Sequence, residues 1–164
     1  MNRSLEKMLE EFRQHWKNYI LQSGLATLVF FVLLFVLDAA DVLIVASLGS
    51  TAFVVFAMPK SLTAQPRNVV GGQMMGLASG ALCTLAGAAG GENLVLQYSL
   101  YSFAVGLSLF LMVVTDTEHP PASGTALGVA MQGVKAKTTL VVVVGAILLA
   151  LVHHLLRGYL RDLA

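Results

Sequence analysis

Residues 115–130 read TDTEHPPASGTALGVA and interrupt a chain that otherwise consists of apolar segments. Two acids, a histidine and two consecutive prolines come first, and small and hydroxyl-bearing residues follow. Pro120 and Pro121 lack amide hydrogens and force the residues before them out of helical geometry, although a helix can begin directly after them. The stretch therefore predicts a broken segment in which a short helix begins near Pro121.

The composition predicts an all-α polytopic membrane protein. Of the 164 residues, 57% are hydrophobic and only 12% are charged, and a typical soluble domain carries about twice that share of charge. Asp38 and Asp41 are the only charged side chains between residues 21 and 56, and Glu92 is the only one in residues 68–114. Helices built from such runs have no polar face to turn toward water.

The N-terminal segment differs from the rest. Residues 3–18, RSLEKMLEEFRQHWKN, repeat apolar side chains every three or four positions, with Glu, Lys and Arg on the other face. This pattern predicts an amphipathic helix within residues 1–19 that lies along the membrane surface. The alternative is a soluble arm that packs on another subunit.

Residues 20–164 form the predicted transmembrane domain, with six apolar segments. At 1.5 Å per residue, a run of 18 residues reaches about 27 Å, enough to cross the hydrocarbon. The second segment and especially the fifth are short, so either is a candidate for a re-entrant helix. The segments are 20–37, 42–58, 69–89, 94–114, 121–134 and 138–156.

The six segments divide into two tandem halves, residues 20–89 and 94–156. The shift of 74 residues that carries Thr51 onto Thr125 also brings the other segments of the first half onto those of the second. Three crossings in each half would place the halves in opposite orientations, which is the inverted repeat of many transporters. Lys and Arg cluster in the regions that would be cytoplasmic, but Lys135 and Lys137 break this rule, and a re-entrant fifth segment is the alternative.

Glycines repeat every four residues in the third segment, at Gly72, Gly76 and Gly80. A face without side chains permits close helix packing, and this is the favoured interpretation. The alternative is a smooth wall for a permeation path.

The broken segments supply the candidate substrate-binding residues. A helix beginning at Pro121 would expose the amides of its first turn, and a helix N-terminus binds anions without a fixed charge. The corresponding start in the first half is predicted at Gly49, Ser50 and Thr51. Two such starts facing each other near the midplane predict an anion site built from Ser50, Thr51, His119, Ser123, Gly124 and Thr125.

Charged residues near these starts have two interpretations. Asp116 and Glu118 either sit at the membrane interface or gate the pathway and orient His119. Lys60 and Arg67 either set the orientation of a cytoplasmic loop or draw anions toward the path. His153 and His154 lie near the end of the last segment, where an interfacial role is favoured over metal binding.

These residues together resemble the HPP family of integral membrane proteins. The likeness covers about residues 40–156, and family members are described as having four transmembrane spans. Plastid and cyanobacterial members are associated with nitrite transport, so the resemblance implies nitrite as the leading substrate. The matching residues are His119-Pro120-Pro121-Ala122, Thr125-Ala126, Gly49-Ser50-Thr51-Ala52, Pro59, Ser61, Ala64-Gln65-Pro66-Arg67-Asn68 and Gly71-Gly72.

The predicted function is therefore a channel or secondary transporter for a small inorganic anion. The alternative is a non-transporting scaffold or sensor whose N-terminal helix docks a partner. A transporter predicts a polar cavity between the two hydroxyl-headed helices, and a scaffold predicts a dry, closed core. An enzyme is not expected, because the four histidines are scattered and no ligand spacing emerges.

The remaining predictions concern partners and location. No cofactor or metal is expected, and no basic-aromatic pattern indicates nucleic acid. Few helices surround a pathway in one copy, so a homo-oligomer in the lipid bilayer is expected. No signal or transit peptide is visible, which favours the bacterial inner membrane.

Overall fold

The computed structural model describes residues 2–37, 41–88 and 93–163. Within these ranges the chain forms six α-helices and a short 3-10 helix at Leu62–Ala64, and no strand. The helices are α1 (Asn2–Leu37), α2 (Val42–Ala57), α3 (Pro66–Gly87), α4 (Leu94–Val114), α5 (Ala122–Gln132) and α6 (Ala136–Leu156). Each of the six predicted apolar segments falls on one helix, so the all-α prediction is confirmed.

The chain is a multi-pass membrane protein. Among the described residues, four helices are long and apolar enough to cross a membrane. These spans are Lys7–Phe35, Pro66–Gly87, Leu94–Val114 and Ala136–Leu156. Asp38 and Glu92 fall outside the described residues.

The predicted amphipathic helix and the first span are one element. α1 runs through residues 19 and 20 without a break, and its non-helical residue is His15, with φ −126° and ψ 16°. This kink divides α1 into a short first part and a longer second part. Exposed apolar side chains continue along both parts of α1, including Phe12, Trp16 and Phe31.

Individual residues mark where several of the helices begin and end. α3 begins at Pro66, where the missing amide hydrogen removes no helical hydrogen bond. The Asn93 side chain caps α4 by accepting hydrogen bonds from the amides of Val95 and Leu96. α5 ends at Gly133, whose φ of +81° favours glycine.

Residues 115–132 form a discontinuous segment, with an extended first part and α5 as its second part. Pro120 and Pro121 separate the two parts, and Asp116 turns the chain out of α4 with a φ of +53°. The segment lies beside α3 and runs in the same direction. Thr117 contacts Gly71 near the start of α3, and Val129 contacts Thr84 near its end. The fifth segment therefore continues across the bundle and does not form a re-entrant hairpin.

The glycines of α3 lie against this discontinuous segment. A Cβ atom placed on Gly72 would come within 2.5 Å of the His119 Cβ. On Gly76 it would overlap the Ala122 carbonyl oxygen, and on Gly80 it would lie 2.6 Å from that of Ala126. The glycine face of α3 therefore serves helix packing, and it brings His119 against the bundle centre.

A C-terminal tail closes one end of the bundle. Gln22 of α1 is 1% exposed, and its Nε2 donates to the carbonyls of Phe56 and of Arg161. Its Oε1 accepts from the Arg161 amide at 3.0 Å. The amide of Leu163 donates to the Ala57 carbonyl at 2.9 Å. One buried amide therefore joins α1, the end of α2 and the tail.

Replacing Gln22 by leucine is expected to release this tail. Buried carbonyls of Phe56 and Arg161 would lose their partner, which lowers the free energy of unfolding by about 1–3 kcal/mol. Hydrogen exchange measured by mass spectrometry should become faster at residues 158–163. Gln14, which is exposed on the same helix, provides the control Gln14→Leu. Equal exchange in both variants would contradict the assignment.

Candidate functional site

Five polar side chains meet in the interior of the bundle, and we call them the polar cluster. All five are at most 4% exposed. Three elements that are separate in sequence supply them, because the discontinuous segment packs against both α2 and α3 through α5. The members are Ser47 and Thr51 of α2, Gln73 of α3, His119 of the extended part and Thr125 of α5.

Gln73 holds the two threonines together. Its Oε1 accepts a hydrogen bond from the Thr125 hydroxyl at 2.6 Å. Its Nε2 donates to the Thr51 hydroxyl oxygen at 3.1 Å. Thr51 and Thr125 are the pair that the 74-residue shift superposes. A single amide therefore bridges corresponding positions of the two predicted halves.

Ser47 makes a second link between the halves. Its hydroxyl donates to the Pro121 carbonyl at 2.6 Å, and its Oγ lies 2.8 Å from the Thr125 Oγ1. Ser47 and Pro121 are again related by the same shift of 74 residues. The Pro121 carbonyl also accepts from the Gly124 amide at 3.0 Å, so the side chain of α2 adds a second hydrogen bond at the start of α5.

His119 connects the polar cluster to the loop after α2. Its Nδ1 lies 2.8 Å from the Thr63 carbonyl oxygen, and since a carbonyl only accepts, Nδ1 carries a proton. Its Nε2 lies 2.9 Å from Thr51 Oγ1. A neutral ring requires the Thr51 hydroxyl to donate to Nε2, whereas a charged ring lets that hydroxyl donate to the Ser47 carbonyl, 3.0 Å away. The direction of the Thr51 hydroxyl therefore follows the charge of His119.

The polar cluster is closed in this conformation. Thr51, Gln73, His119 and Thr125 have no exposed surface, and each forms hydrogen bonds within the protein. A scaffold was expected to have a closed core, and a transporter was expected to have a polar cavity between the two helices. At the polar cluster the structure has a closed core. A solute therefore reaches these groups only if the elements that cover them move.

The predicted substrate-binding residues divide into two groups. Thr51, His119 and Thr125 come together in the polar cluster, and Gly124 lies beside it, since a Cβ atom placed there would be 3.3 Å from the Ser47 Cβ. Ser50 is exposed, and its hydroxyl donates to the Ala46 carbonyl of its own helix. Ser123 turns toward α4, where its Oγ accepts from Ser108 at 3.3 Å.

The prediction of two facing helix N-termini is wrong for the first half. α2 begins at Val42, so Gly49, Ser50 and Thr51 lie in the middle of a helix. In the second half α5 begins where expected, but the amides of its first turn are not free. Those of Ala122, Ser123 and Gly124 donate to the carbonyls of His119, Pro120 and Pro121. Side chains rather than backbone amides are the donors that face each other.

The predicted gating residues lie at one end of the bundle. Arg67 Nη1 pairs with Asp116 Oδ2 at 2.7 Å, and its Nη2 donates to the Thr115 carbonyl at 3.1 Å. Both side chains of the pair are exposed, by 63% and 76%, so water and salt weaken the pair. The Glu118 carbonyl accepts from Asn68 at 3.2 Å. These contacts fasten the extended part of the discontinuous segment to the start of α3.

A basic cleft of about 600 Å³ opens at the same end, between the turn after α2, the start of α3 and the end of α6. The 3-10 helix beside it carries Thr63, whose carbonyl holds His119. The cleft is thus separated from the polar cluster by residues 61–65. Its lining consists of Pro59, Lys60, Ser61, Gln65, Pro66, Arg67, His153, Arg157 and Gly158.

Sequence reasoning missed Ser47, Gln73 and His153. Ser47 precedes Thr51 by one helical turn and hence shares its face, which is a usable signal. Gln73 is a lone amide in a glycine-rich apolar helix, and an intramembrane polar residue indicates a buried partner. His153 is 2% exposed, and its Nε2 donates to the Pro59 carbonyl at 2.8 Å, a partner that the sequence did not indicate. In the described part of the chain, no three His, Cys, Asp or Glu side chains are placed to hold a metal ion.

Comparison with known proteins agrees with the sequence resemblance. A family model described as HPP, transmembrane region, matches residues 12–161. The chain belongs to the HPP family. The matched range of this HPP-family protein contains all five members of the polar cluster and the lining of the basic cleft.

A relative of this HPP-family protein occurs in Dictyostelium discoideum, where it is described as a transmembrane protein. The two are 34% identical over 101 residues, which is 62% of this chain. The chain spans about a third of that relative's length, 34%. No solved structure matches the chain.

Proposed function

We propose that this protein transports a small inorganic anion across the membrane, with nitrite the leading candidate, and that the polar cluster lies on the pathway. The observation that carries the proposal is the Gln73 amide, which joins Thr51 of α2 to Thr125 of α5 inside the bundle. Polar groups inside a membrane domain are costly and commonly mark a substrate path. Here they lie where a broken span meets two continuous helices.

The chemistry of the polar cluster suits an anion. Three hydroxyls and a primary amide supply hydrogens that can turn from protein acceptors to a bound ion. No acidic side chain belongs to the cluster, so nothing within it repels a negative charge. A small anion would exchange its hydration for these donors, which is how selective pores replace water.

The basic cleft provides the approach to the pathway. Lys60 and Arg67 line it, and their field raises the local concentration of anions. Only residues 61–65 separate it from His119, so a movement of this loop would connect the two. Loop movement would also break the bond between His119 and the Thr63 carbonyl.

An inverted repeat is part of the proposal. α2 starts at the end of the bundle where Asp41 contacts Thr138, whereas the discontinuous segment ends there, so corresponding segments run in opposite directions. The contacts also correspond, since α1 packs on α2 as α4 packs on α5, and α3 packs on α5 as α6 packs on α2. Such a symmetry allows one half to rock against the other.

The remaining features of the proposal follow from the sequence. The first turns of α1 would lie along the membrane surface, through exposed side chains such as Met8, Leu9, Phe12 and Trp16. The protein would act as a homo-oligomer in a bacterial inner membrane, with one pathway in each copy and without catalysing a reaction.

A scaffold or sensor is the second candidate function. The closed polar cluster favours it, because a fully hydrogen-bonded core can also serve only to fix the packing of helices. In that case the exposed apolar side chains of α1 would dock a partner. The two candidates differ in one measurable property, the passage of ions.

Uptake of anions into proteoliposomes tests the proposal. The purified protein is reconstituted, and nitrite accumulation is followed over time against liposomes without protein. We expect saturable nitrite uptake that other small monoanions inhibit, because they compete for the same donors. The competing monoanions are also tested as substrates. If neither nitrite nor these monoanions enter faster than they enter empty liposomes, the scaffold is favoured.

A further inference from the structure

The basic cleft is larger than a small monoanion requires. Its volume of about 600 Å³ lies within the range of about 300–1,000 Å³ that pockets for drug-sized ligands occupy. An ion of three or four atoms would leave most of this space to water. The volume therefore leaves room for a ligand larger than the transported ion.

Cations approach the cleft from separate elements. Lys60 lies on the turn after α2, Arg67 in the first turn of α3, and Arg157 directly after α6. Within the described residues, Lys60 and Arg157 form no ion pair, while Arg67 is engaged with Asp116. The Oδ1 of the nearby Asp162 accepts from the Lys60 backbone amide at 3.3 Å, and Asp162 forms no ion pair within the described residues. Lys60 and Arg157 thus line the cleft without an ion-pair partner in the described part of the chain.

His153 adds an unsatisfied group to the wall of the cleft. The ring is 2% exposed, and its Nε2 donates to the Pro59 carbonyl. Its Nδ1 is buried and has no hydrogen-bond partner within the described part of the chain. A buried polar atom without a partner is unfavourable. Because the proton is on Nε2, Nδ1 is an acceptor, so a ligand hydroxyl or a bound water that donates to it in the cleft would relieve this.

We propose that the basic cleft binds a phosphate-bearing ligand, which bridges Lys60 and Arg157. A phosphate group offers oxygens in several directions and nearly two negative charges, and the planar guanidinium of Arg157 matches it with paired hydrogen bonds. The group comes either from an anionic lipid headgroup or from a soluble phosphorylated molecule. Both sources present the same chemistry to the cleft.

The bound phosphate also has a regulatory consequence, which rests on the proposed function. A bridge from Lys60 to Arg157 fastens the loop after α2 to the end of α6. Because this loop holds His119 through the Thr63 carbonyl, the bridge keeps the polar cluster covered. Phosphate binding therefore inhibits anion uptake.

Binding is tested with two probes on the full chain in nanodiscs. Calorimetry measures inorganic pyrophosphate binding in phosphatidylcholine nanodiscs, and native mass spectrometry measures retained phosphatidylglycerol in mixed nanodiscs. The variant Lys60→Gln/Arg157→Gln should weaken binding of at least one probe by about 10-fold or more, the scale of one lost charged hydrogen bond. Both side chains are exposed, so the variant should fold normally.

A control pair with the same change of charge is Arg13→Gln/Lys17→Gln, on the exposed face of α1. It should bind as the unmodified protein does. Pyrophosphate binding identifies a soluble source, and selective phosphatidylglycerol retention identifies a lipid source. Binding of neither probe, or an equal loss in both variants, overturns the proposal. These measurements need no transport, so they are independent of the uptake assay.

Discussion

Nitrite uptake is expected to fall by about 10-fold or more when Thr51 and Thr125 are both replaced by valine. Valine keeps the shape of threonine but removes the hydroxyl. If each hydroxyl donates to the passing ion, the loss of two hydrogen bonds of about 1 kcal/mol each accounts for this factor. Initial rates in proteoliposomes provide the measurement, at equal amounts of reconstituted protein.

Thr27→Val/Thr139→Val is the matched control for this double replacement. These threonines lie on α1 and α6, away from the polar cluster, and Thr27 bonds only to the Ser23 carbonyl of its own helix. Uptake by the control should equal that of the unmodified protein. Undiminished uptake in Thr51→Val/Thr125→Val would remove the polar cluster from the pathway.

The largest loss of stability is expected for Gly76→Val. The new Cβ would overlap the Ala122 carbonyl oxygen and lie 3.2 Å from its carbon, so the backbone of α5 would have to move. Overpacking of this kind lowers the free energy of unfolding by about 1–3 kcal/mol, and backbone contacts place Gly76 at the upper end. Thermal unfolding in detergent should show a clearly lower midpoint.

Gly106→Val separates this packing effect from the change in helix propensity. Gly106 also lies inside a helix, α4, but a Cβ there would meet nothing within 4 Å. Its unfolding midpoint should stay close to that of the unmodified protein. Equal destabilisation by the two valines would mean that propensity, rather than contact with the discontinuous segment, determines the effect.

Hydropathy was sufficient to predict the six helices. In a membrane, the backbone N–H and C=O groups of an apolar segment need hydrogen bonds within the segment, and a helix provides them. The break at Pro120 and Pro121 was equally readable, since proline restricts the local backbone in any context. The close packing of Gly76 followed from spacing alone. The segment against which Gly76 packs could not be predicted, because the path of the chain beside α3 depends on tertiary contacts.

The start of α2 was predicted wrongly for a physical reason. Small residues and hydroxyls at Gly49, Ser50 and Thr51 resemble a helix start, but hydroxyls are also tolerated inside helices. The Ser50 hydroxyl donates to the Ala46 carbonyl, and the Thr51 hydroxyl lies 3.0 Å from the Ser47 carbonyl, in each case four residues earlier in the same helix. One sequence pattern thus fits two conformations.

The polar cluster itself could be predicted only in part. Thr51 and Thr125 were predicted because the shift of 74 residues superposes them. His119 was predicted because it lies directly before the two prolines. Gln73 belongs to a helix whose signal was dominated by glycine, and its role becomes evident only when α2 and α5 are placed on either side of it. Pairings between distant segments are not encoded in local spacing.

A reversible cross-link between α2 and α5 tests the central claim most directly. A Cβ on Gly128 would lie 3.2 Å from the Leu43 Cβ, close to the separation of about 3.8 Å in disulfides. Leu43→Cys/Gly128→Cys, made in a Cys83→Ala background, leaves every hydroxyl of the polar cluster in place. If the helices must part for an anion to pass, oxidation should stop nitrite uptake and reduction should restore it. Equal uptake in the oxidised and reduced protein, with the cross-link verified as complete, would contradict the account.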